Sequence, residues 1–220
     1  MVIWLPSSLL ALEPADVDSP GIDHHAAAAL ACIITVAILT PYLSAVWHRT
    51  LHPHVISWVI WGLTTLLVAG GQLLAGAGIG AIPILLSGAL SSSVAVLALM
   101  RRRLGSLDAG MNRFDGCCLA IVLACIPVWL TTGDERWSML ILTSIDLVGF
   151  APTVRAVWRQ PHAESALLFF AFAIRNSVAV VAVEVTNLST EVFPAVIGSA
   201  CLGVGIMIWF RRRVVSRSPT

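Results

Sequence analysis

Long apolar runs separated by short polar stretches make up most of this chain. Six of them cover about 26–47, 54–74, 114–130, 137–158, 164–183 and 191–210, and a seventh ends near Met100. Each run is close to the roughly 20 residues with which a helix, rising about 1.5 Å per residue, crosses an apolar core of about 30 Å. Unpaired backbone groups are too costly in lipid. We therefore predict an all-α membrane protein with seven transmembrane helices.

Composition agrees with this pattern. Of the 220 residues, 58% are hydrophobic and 11% are charged, and the mean hydropathy is +0.90. A soluble domain carries about 25% charged residues. The lipid bilayer is therefore the expected surrounding of most of the chain.

Three landmarks of the chain occur twice at the same spacing of 111 residues. The motif Pro-x-x-x-Ala-Val-Trp begins at Pro41 and again at Pro152. The pairs that share this spacing are Pro41 and Pro152, Trp47 and Trp158, and Pro83 and Pro194. Each half also ends on three consecutive arginines, at 101–103 and 211–213. This self-similarity predicts an internal duplication.

The duplication predicts the domain organisation. A three-helix unit reverses the chain direction, so one additional helix between two such units makes them parallel, related by an axis along the membrane normal. We expect a first three-helix repeat at 26–103, a linker helix at 114–131 and a second repeat at 137–213. An extracytoplasmic tail would cover 1–25, and a cytoplasmic tail would cover 214–220.

The distribution of arginine predicts the orientation. The chain has 13 basic residues, and all of them are arginine. One side of the predicted bundle holds Arg49, Arg101, Arg102, Arg103, Arg113, Arg155, Arg159, Arg211, Arg212, Arg213 and Arg217. The loops of the other side hold only Arg136. By the positive-inside rule, the N-terminus is outside and the C-terminus is cytoplasmic, in a bacterial-type plasma membrane.

The 3+1+3 helix order, with a proline near the inner end of the first helix of each repeat, resembles the SWEET/PQ-loop transporter superfamily. The resemblance covers most of 26–213 and implies alternating-access transport of a small polar solute. Sugars, amino acids, nucleosides or vitamins, and organic acids are the expected classes. The proline–glutamine pair of PQ-loop members reads Pro41-Tyr42 and Pro152-Thr153 here, and Trp61 and Phe172 stand near the level where sugar carriers have a proline.

Charged and amide side chains within the apolar runs are the first candidates for substrate binding. Asp146 and Arg175 fall well inside predicted helices, where an isolated charge costs several kcal/mol. Three readings stay open: a structural ion pair, direct substrate contact, and proton coupling through Asp146. Asn176 offers an amide beside Arg175. By the 111-residue spacing, Thr35 in the first repeat aligns with Asp146, and Thr65 aligns with Asn176. The first repeat therefore lacks the carboxylate and the amide, and the cavity should be asymmetric.

Other candidates come from an aromatic residue, a serine run and the duplicated prolines. Trp61 lies about 10 Å into its helix, where it either stacks on a ligand or anchors the helix in lipid. Ser92 belongs to a run of three serines that either present hydroxyls to a cavity or permit close helix packing. Pro41 and Pro152 each remove one helical hydrogen bond, and we predict that they act as paired hinges.

Several functions have little support in the sequence. No metal-binding cluster, phosphate loop or catalytic constellation stands out, so we expect no metal, no cofactor and no enzymatic activity. The arginine triplets flank apolar runs, which orientation and anionic lipid explain without nucleic acid. A retinal-type seven-helix receptor would require a lysine, and the chain has none. The remaining alternatives are a non-transporting scaffold or assembly subunit and a seven-helix receptor without retinal. A homo-oligomer is compatible with each of these functions.

Overall fold

The computed structural model describes residues 23–103 and 113–215. These parts form seven α-helices and one short 3-10 turn, Gly78–Gly80, with no strand. The helices are α1 His24–Trp47, α2 Val55–Leu74, α3 Ala81–Arg103, α4 Arg113–Thr131, α5 Glu135–Arg159, α6 Ala166–Val181 and α7 Leu188–Val215. Most of the two predicted tails, up to 22 and from 216, and the segment 104–112 between α3 and α4 lie outside the described residues.

Six of the seven helices are long and apolar enough to cross a membrane, as expected for an integral membrane protein. The exception is α6, which has 16 residues where the sequence predicted a run of about twenty. It begins only at Ala166, because the side chain of Ser165 accepts a hydrogen bond from the backbone N–H of Leu168 and caps the helix. Glu164, predicted to start this helix, lies instead in the preceding loop.

The helices pack in two similar groups. In the first group α2 lies along α3 and α1 also contacts α3, and in the second α6 lies along α7 and α5 also contacts α7. Two interfaces join the groups, one between α2 and α5 and the other between α1 and α6. The remaining helix, α4, packs mainly against α5 and lies at the edge of the bundle.

Arginines from α3 and α7 make matching contacts with the ends of α1 and α5. Arg101 Nη2 donates to the carbonyl oxygen of Trp47 at 2.6 Å, and its guanidinium carbon lies 4.7 Å from the centre of that indole ring. Arg211 Nη2 donates to the carbonyl oxygen of Trp158 at 2.7 Å, with a ring distance of 4.6 Å. We call this end of the bundle, where α1, α3, α5 and α7 end, the arginine-rich end.

A glycine permits the close approach of α2 and α3. A Cβ atom added at Gly62 would lie 2.9 Å from Ser92 Cα, which is backbone and cannot move away alone. By contrast, a Cβ at Gly70, on the exposed face of the same helix, would meet no atom within 4 Å. Small residues at helix interfaces allow such contacts in membranes.

We expect Gly62→Ala to destabilise the bundle by about 1–3 kcal/mol through overpacking. Gly70→Ala is the matched control, and it should be neutral or stabilising by about 0.5–1 kcal/mol, because alanine favours helix more than glycine. Thermal unfolding of the detergent-purified variants measures both effects. Equal melting temperatures for the two variants would contradict the close α2–α3 contact.

Candidate functional site

A small cavity of about 40 Å³ lies in the middle of the bundle, between the two groups of helices. Its residues come from α2, α3, α5, α6 and α7, and none comes from α1. They are Trp58, Trp61, Thr65, Ser87, Ser91, Asp146, Phe150, Leu168, Phe169, Phe172, Arg175, Asn176, Phe193, Ile197 and Cys201. At about 10–15 Å³ per water molecule, the cavity has room for a few waters.

Arg175 on α6 brings a positive charge into this cavity. Its side chain is 3% exposed. The Nη2 atom donates to the hydroxyl of Ser87 on α3 at 2.9 Å, and the guanidinium carbon lies 5.2 Å from the Phe172 ring centre. The other two nitrogens, Nε and Nη1, have no hydrogen-bond partner in the structure. Arg175 therefore retains donors for a further group.

Asp146 on α5 places a carboxyl group in the same cavity and is 2% exposed. Its Oδ1 atom accepts a hydrogen bond from the hydroxyl of Thr64. Its backbone carbonyl oxygen accepts from the indole Nε1 of Trp61 at 3.2 Å. No salt bridge joins Asp146 to Arg175, although both side chains line the cavity. The two charges are thus held separately, by different partners.

Asn176 is fully buried beside Arg175. Its Nδ2 atom donates to the carbonyl oxygen of Phe172 at 2.9 Å, while its Oδ1 atom has no partner. The cavity therefore contains an unpaired acceptor as well as the unpaired donors of Arg175. Buried polar groups in proteins are nearly always hydrogen-bonded, so these atoms are suited to bind water or a solute.

Aromatic side chains form one wall of the cavity and connect it to the arginine-rich end. The ring centres of Trp61 lie 4.8 Å from Phe150 and 6.3 Å from Phe169. Trp58 lies 5.5 Å from Trp61 and 5.0 Å from Tyr42. Trp61 is 8% exposed and lines the cavity, so its side chain faces the interior of the bundle and not the lipid.

Some of the predicted site residues do not line the cavity. The hydroxyl of Thr35 donates to the carbonyl oxygen of Ala31 at 2.7 Å within α1. The hydroxyl of Ser92 donates to the carbonyl oxygen of Gly88 at 2.8 Å within α3. The prolines occupy unlike surroundings, since Pro41 is exposed and Pro152 is buried.

Thr65 does line the cavity, and so do Ser91, which belongs to the predicted serine run, and Ser87, which the sequence analysis did not single out. The spacing of Ser87 and Ser91 in the sequence could have identified them. They are four residues apart and hence lie on one face of α3, while Ser92 lies on another.

A second polar cluster, absent from the sequence predictions, lies at the arginine-rich end. Glu164 is 1% exposed; its Oε2 atom accepts from the Tyr42 hydroxyl at 2.7 Å and its Oε1 atom accepts from the backbone N–H of His54 at 3.4 Å. Arg212 Nη2 donates to the carbonyl oxygen of Glu164 at 2.5 Å. Burial raises the pKa of Glu164 from 4.5 to about 7, and the hydrogen bonds from Tyr42 and His54 limit the rise.

Glu164 thus joins α1, α2 and α7 at one point. Because Tyr42 also packs on Trp58, which lines the cavity, this cluster is connected through two aromatic rings to the site of Asp146 and Arg175.

The central cavity combines one cation, one carboxylate, hydroxyls and an amide with an aromatic wall. Such a mixture of apolar surface and few polar groups is typical of small-molecule binding sites. Comparison with models of known protein families, with curated proteins and with solved structures finds no match to this chain.

Proposed function

We propose that this chain is a membrane transporter that carries a small polar solute through the central cavity by alternating access. The main observation in support of this proposal is that Arg175 and Asp146 are both buried in the cavity and form no salt bridge with each other. Ionisable groups inside membrane helices are costly and usually line a substrate or ion pathway. A purely structural role would favour a direct pair between them.

The proposal includes two parallel three-helix repeats, α1–α3 and α5–α7, with α4 as the linker. The similar packing of the two groups supports it, and so do the contacts of Arg101 with Trp47 and of Arg211 with Trp158. Binding at the interface of two repeats, which rock against each other, is a common transporter design. The orientation with a cytoplasmic arginine-rich end and the SWEET/PQ-loop resemblance belong to the same proposal.

In this conformation the cavity of about 40 Å³ has room for only a few waters, so a solute requires it to expand. We assign the structure to a closed state in which Tyr42, Trp58 and Glu164 close the arginine-rich end. The small volume also favours the competing candidate, a non-transporting scaffold with a permanently closed interior. Access to the cavity from the two sides of the membrane distinguishes these candidates.

Cys201 provides that measurement because it lines the cavity and is 4% exposed. Replacing the other four cysteines by alanine leaves it as the single thiol; they are Cys32, Cys117, Cys118 and Cys125. In proteoliposomes we expect a membrane-impermeant methanethiosulfonate reagent to modify Cys201 from either side, because alternating access opens the cavity to each in turn. A variant with Cys201→Ala in the same background controls for labelling elsewhere.

Labelling of Cys201 from neither side, in protein that remains monodisperse, would support the scaffold and reject the transporter. A screen for saturable uptake into proteoliposomes then tests the function directly, with radiolabelled sugars, amino acids, nucleosides and organic acids. Absence of flux for every class, in well-folded protein, would also reject it.

A further inference from the structure

We infer that the solute bound in the central cavity is a small organic molecule with a carboxylate group and an apolar body, and that Arg175 holds the carboxylate. This inference rests on the proposed function, because it assumes that the cavity is a binding site. It adds the chemical class of the ligand. The argument uses the unpaired atoms of Arg175, the balance of charge in the cavity and the apolar character of its walls.

The unpaired nitrogens of Arg175 require an acceptor. The guanidinium carries donors only and stays charged, so neither Nε nor Nη1 can be satisfied by losing its proton. Within the bundle, the side-chain oxygen that Arg175 does reach is the neutral hydroxyl of Ser87. Hydrogen bonds from arginine to an anionic oxygen are shorter and stronger than those to a neutral one. An incoming carboxylate would supply the missing acceptor.

The charges in the cavity limit the ligand to one anionic group. A single cation, Arg175, faces one carboxylate, Asp146, whose Oδ1 is already bonded to Thr64. A dianion such as a phosphate monoester would exceed the available positive charge and be repelled by Asp146. A monocarboxylate fits the cation alone, and an amino acid would also present its ammonium group to Asp146. The carboxylate is common to both.

The apolar residues that line the cavity favour a ligand with an apolar body over a sugar. Leu168, Phe172, Phe193 and Ile197 line the cavity together with the aromatic wall of Trp61. A sugar needs a hydrogen-bond partner for each of several hydroxyls, and leaving a polar group buried without one costs about 1–3 kcal/mol. An aliphatic or aromatic chain packs on this surface without that requirement.

The test uses four matched sets of compounds, each in three chain lengths: monocarboxylates, the corresponding α-amino acids, amines without the carboxylate, and alcohols. The longest members are 4-methylpentanoate, L-leucine, 3-methylbutylamine and 4-methyl-1-pentanol. Calorimetric titration of the purified full chain measures affinity. We expect monocarboxylates, amino acids or both to bind at least about ten-fold more tightly than the amines and alcohols, as a charge-assisted hydrogen bond implies.

Variants link this preference to Arg175. Arg175→Gln should lose it and bind the carboxylates at least about ten-fold more weakly, whereas Arg175→Lys should keep part of it because the charge remains. Ser87→Ala, which removes the hydroxyl that orients the guanidinium, should weaken carboxylate binding by a smaller factor. Ser93→Ala is its matched control, because Ser93 is exposed and its hydroxyl bonds to Ala89 in its own helix.

Comparison of the two carboxylate sets identifies the source of the carboxylate. Tighter binding of amino acids assigns the ammonium group to Asp146, and tighter binding of monocarboxylates leaves Asp146 outside ligand contact. Amines or alcohols that bind as tightly as carboxylates, no binding by any carboxylate, or an unchanged preference in Arg175→Gln would overturn the inference. Carboxylate binding without flux would overturn only the transport function, and flux of a neutral solute would overturn only the ligand class.

Discussion

Asp146→Asn is expected to reduce solute uptake into proteoliposomes by about ten-fold or more and to abolish its dependence on pH. The amide has nearly the same volume and still accepts the hydrogen bond from Thr64, so the helices stay in place. It loses the charge and the exchangeable proton of the carboxyl group. A ten-fold reduction in uptake corresponds to about 1.4 kcal/mol in the barrier to transport.

The control carries the same substitution outside the cavity. Asp134 lies in the exposed turn before α5, and its side chain accepts from the backbone N–H of Trp137 at 3.0 Å. Asparagine caps helices as well as aspartate does, so Asp134→Asn should leave uptake unchanged. Equilibrium binding of solute by Asp146→Asn should persist. Wild-type uptake that ignores pH would remove the proton-coupling role, and normal uptake by Asp146→Asn would exclude this residue from the pathway.

The stability of the protein is expected to fall as the pH rises through about 7, because of Glu164. Its pKa is about 7 in the folded chain against an ordinary 4.5. The folded state therefore keeps a proton that the unfolded state releases, so the stabilisation is complete below about pH 4.5 and lost above about pH 7. The difference corresponds to about 3 kcal/mol, or a decrease of about 6–12 °C in melting temperature.

Two variants separate Glu164 from other titrating groups. Glu164→Gln has no proton to release, so its melting temperature should lose this decrease between about pH 5 and pH 8. Tyr42→Phe removes the hydroxyl donor that holds the pKa of Glu164 down, so the decrease should extend to higher pH and become larger. Thermal unfolding across that pH range measures both. An identical pH profile in wild type and Glu164→Gln would show that other groups cause the dependence.

The helical class of the chain could be predicted because lipid leaves few choices to an apolar run of twenty residues. The seven apolar runs became seven helices, with ends shifted by a few residues. The largest difference concerns α6, where the predicted run of 164–183 shortened to Ala166–Val181. Hydrophobicity indicates how much of the chain can enter a membrane. The start of α6 depends in addition on the local cap at Ser165 and on the burial of Glu164 against residues from other helices.

The candidate site was predicted in part, for an identifiable reason. A polar residue inside an apolar run must find a partner or a cavity, and this rule identified Asp146, Arg175 and Asn176, all of which line the cavity. Of the two residues chosen by the 111-residue spacing, Thr65 lines the cavity and Thr35 does not, because α1 contributes nothing to the lining. A spacing in the sequence does not determine which helices surround a residue.

The sequence by itself determined that apolar helices fill this protein, where they begin and end to within a few residues, and which charges lie inside them. These properties follow from the period and length of apolar runs and from the cost of burying a charge, which are local. Only the tertiary structure decided that Asp146 and Arg175 share a cavity without pairing, that Ser87 rather than Ser92 holds the arginine, and that Glu164 joins three helices. Those outcomes depend on which helix faces meet, and helix rotation is set by packing between distant segments.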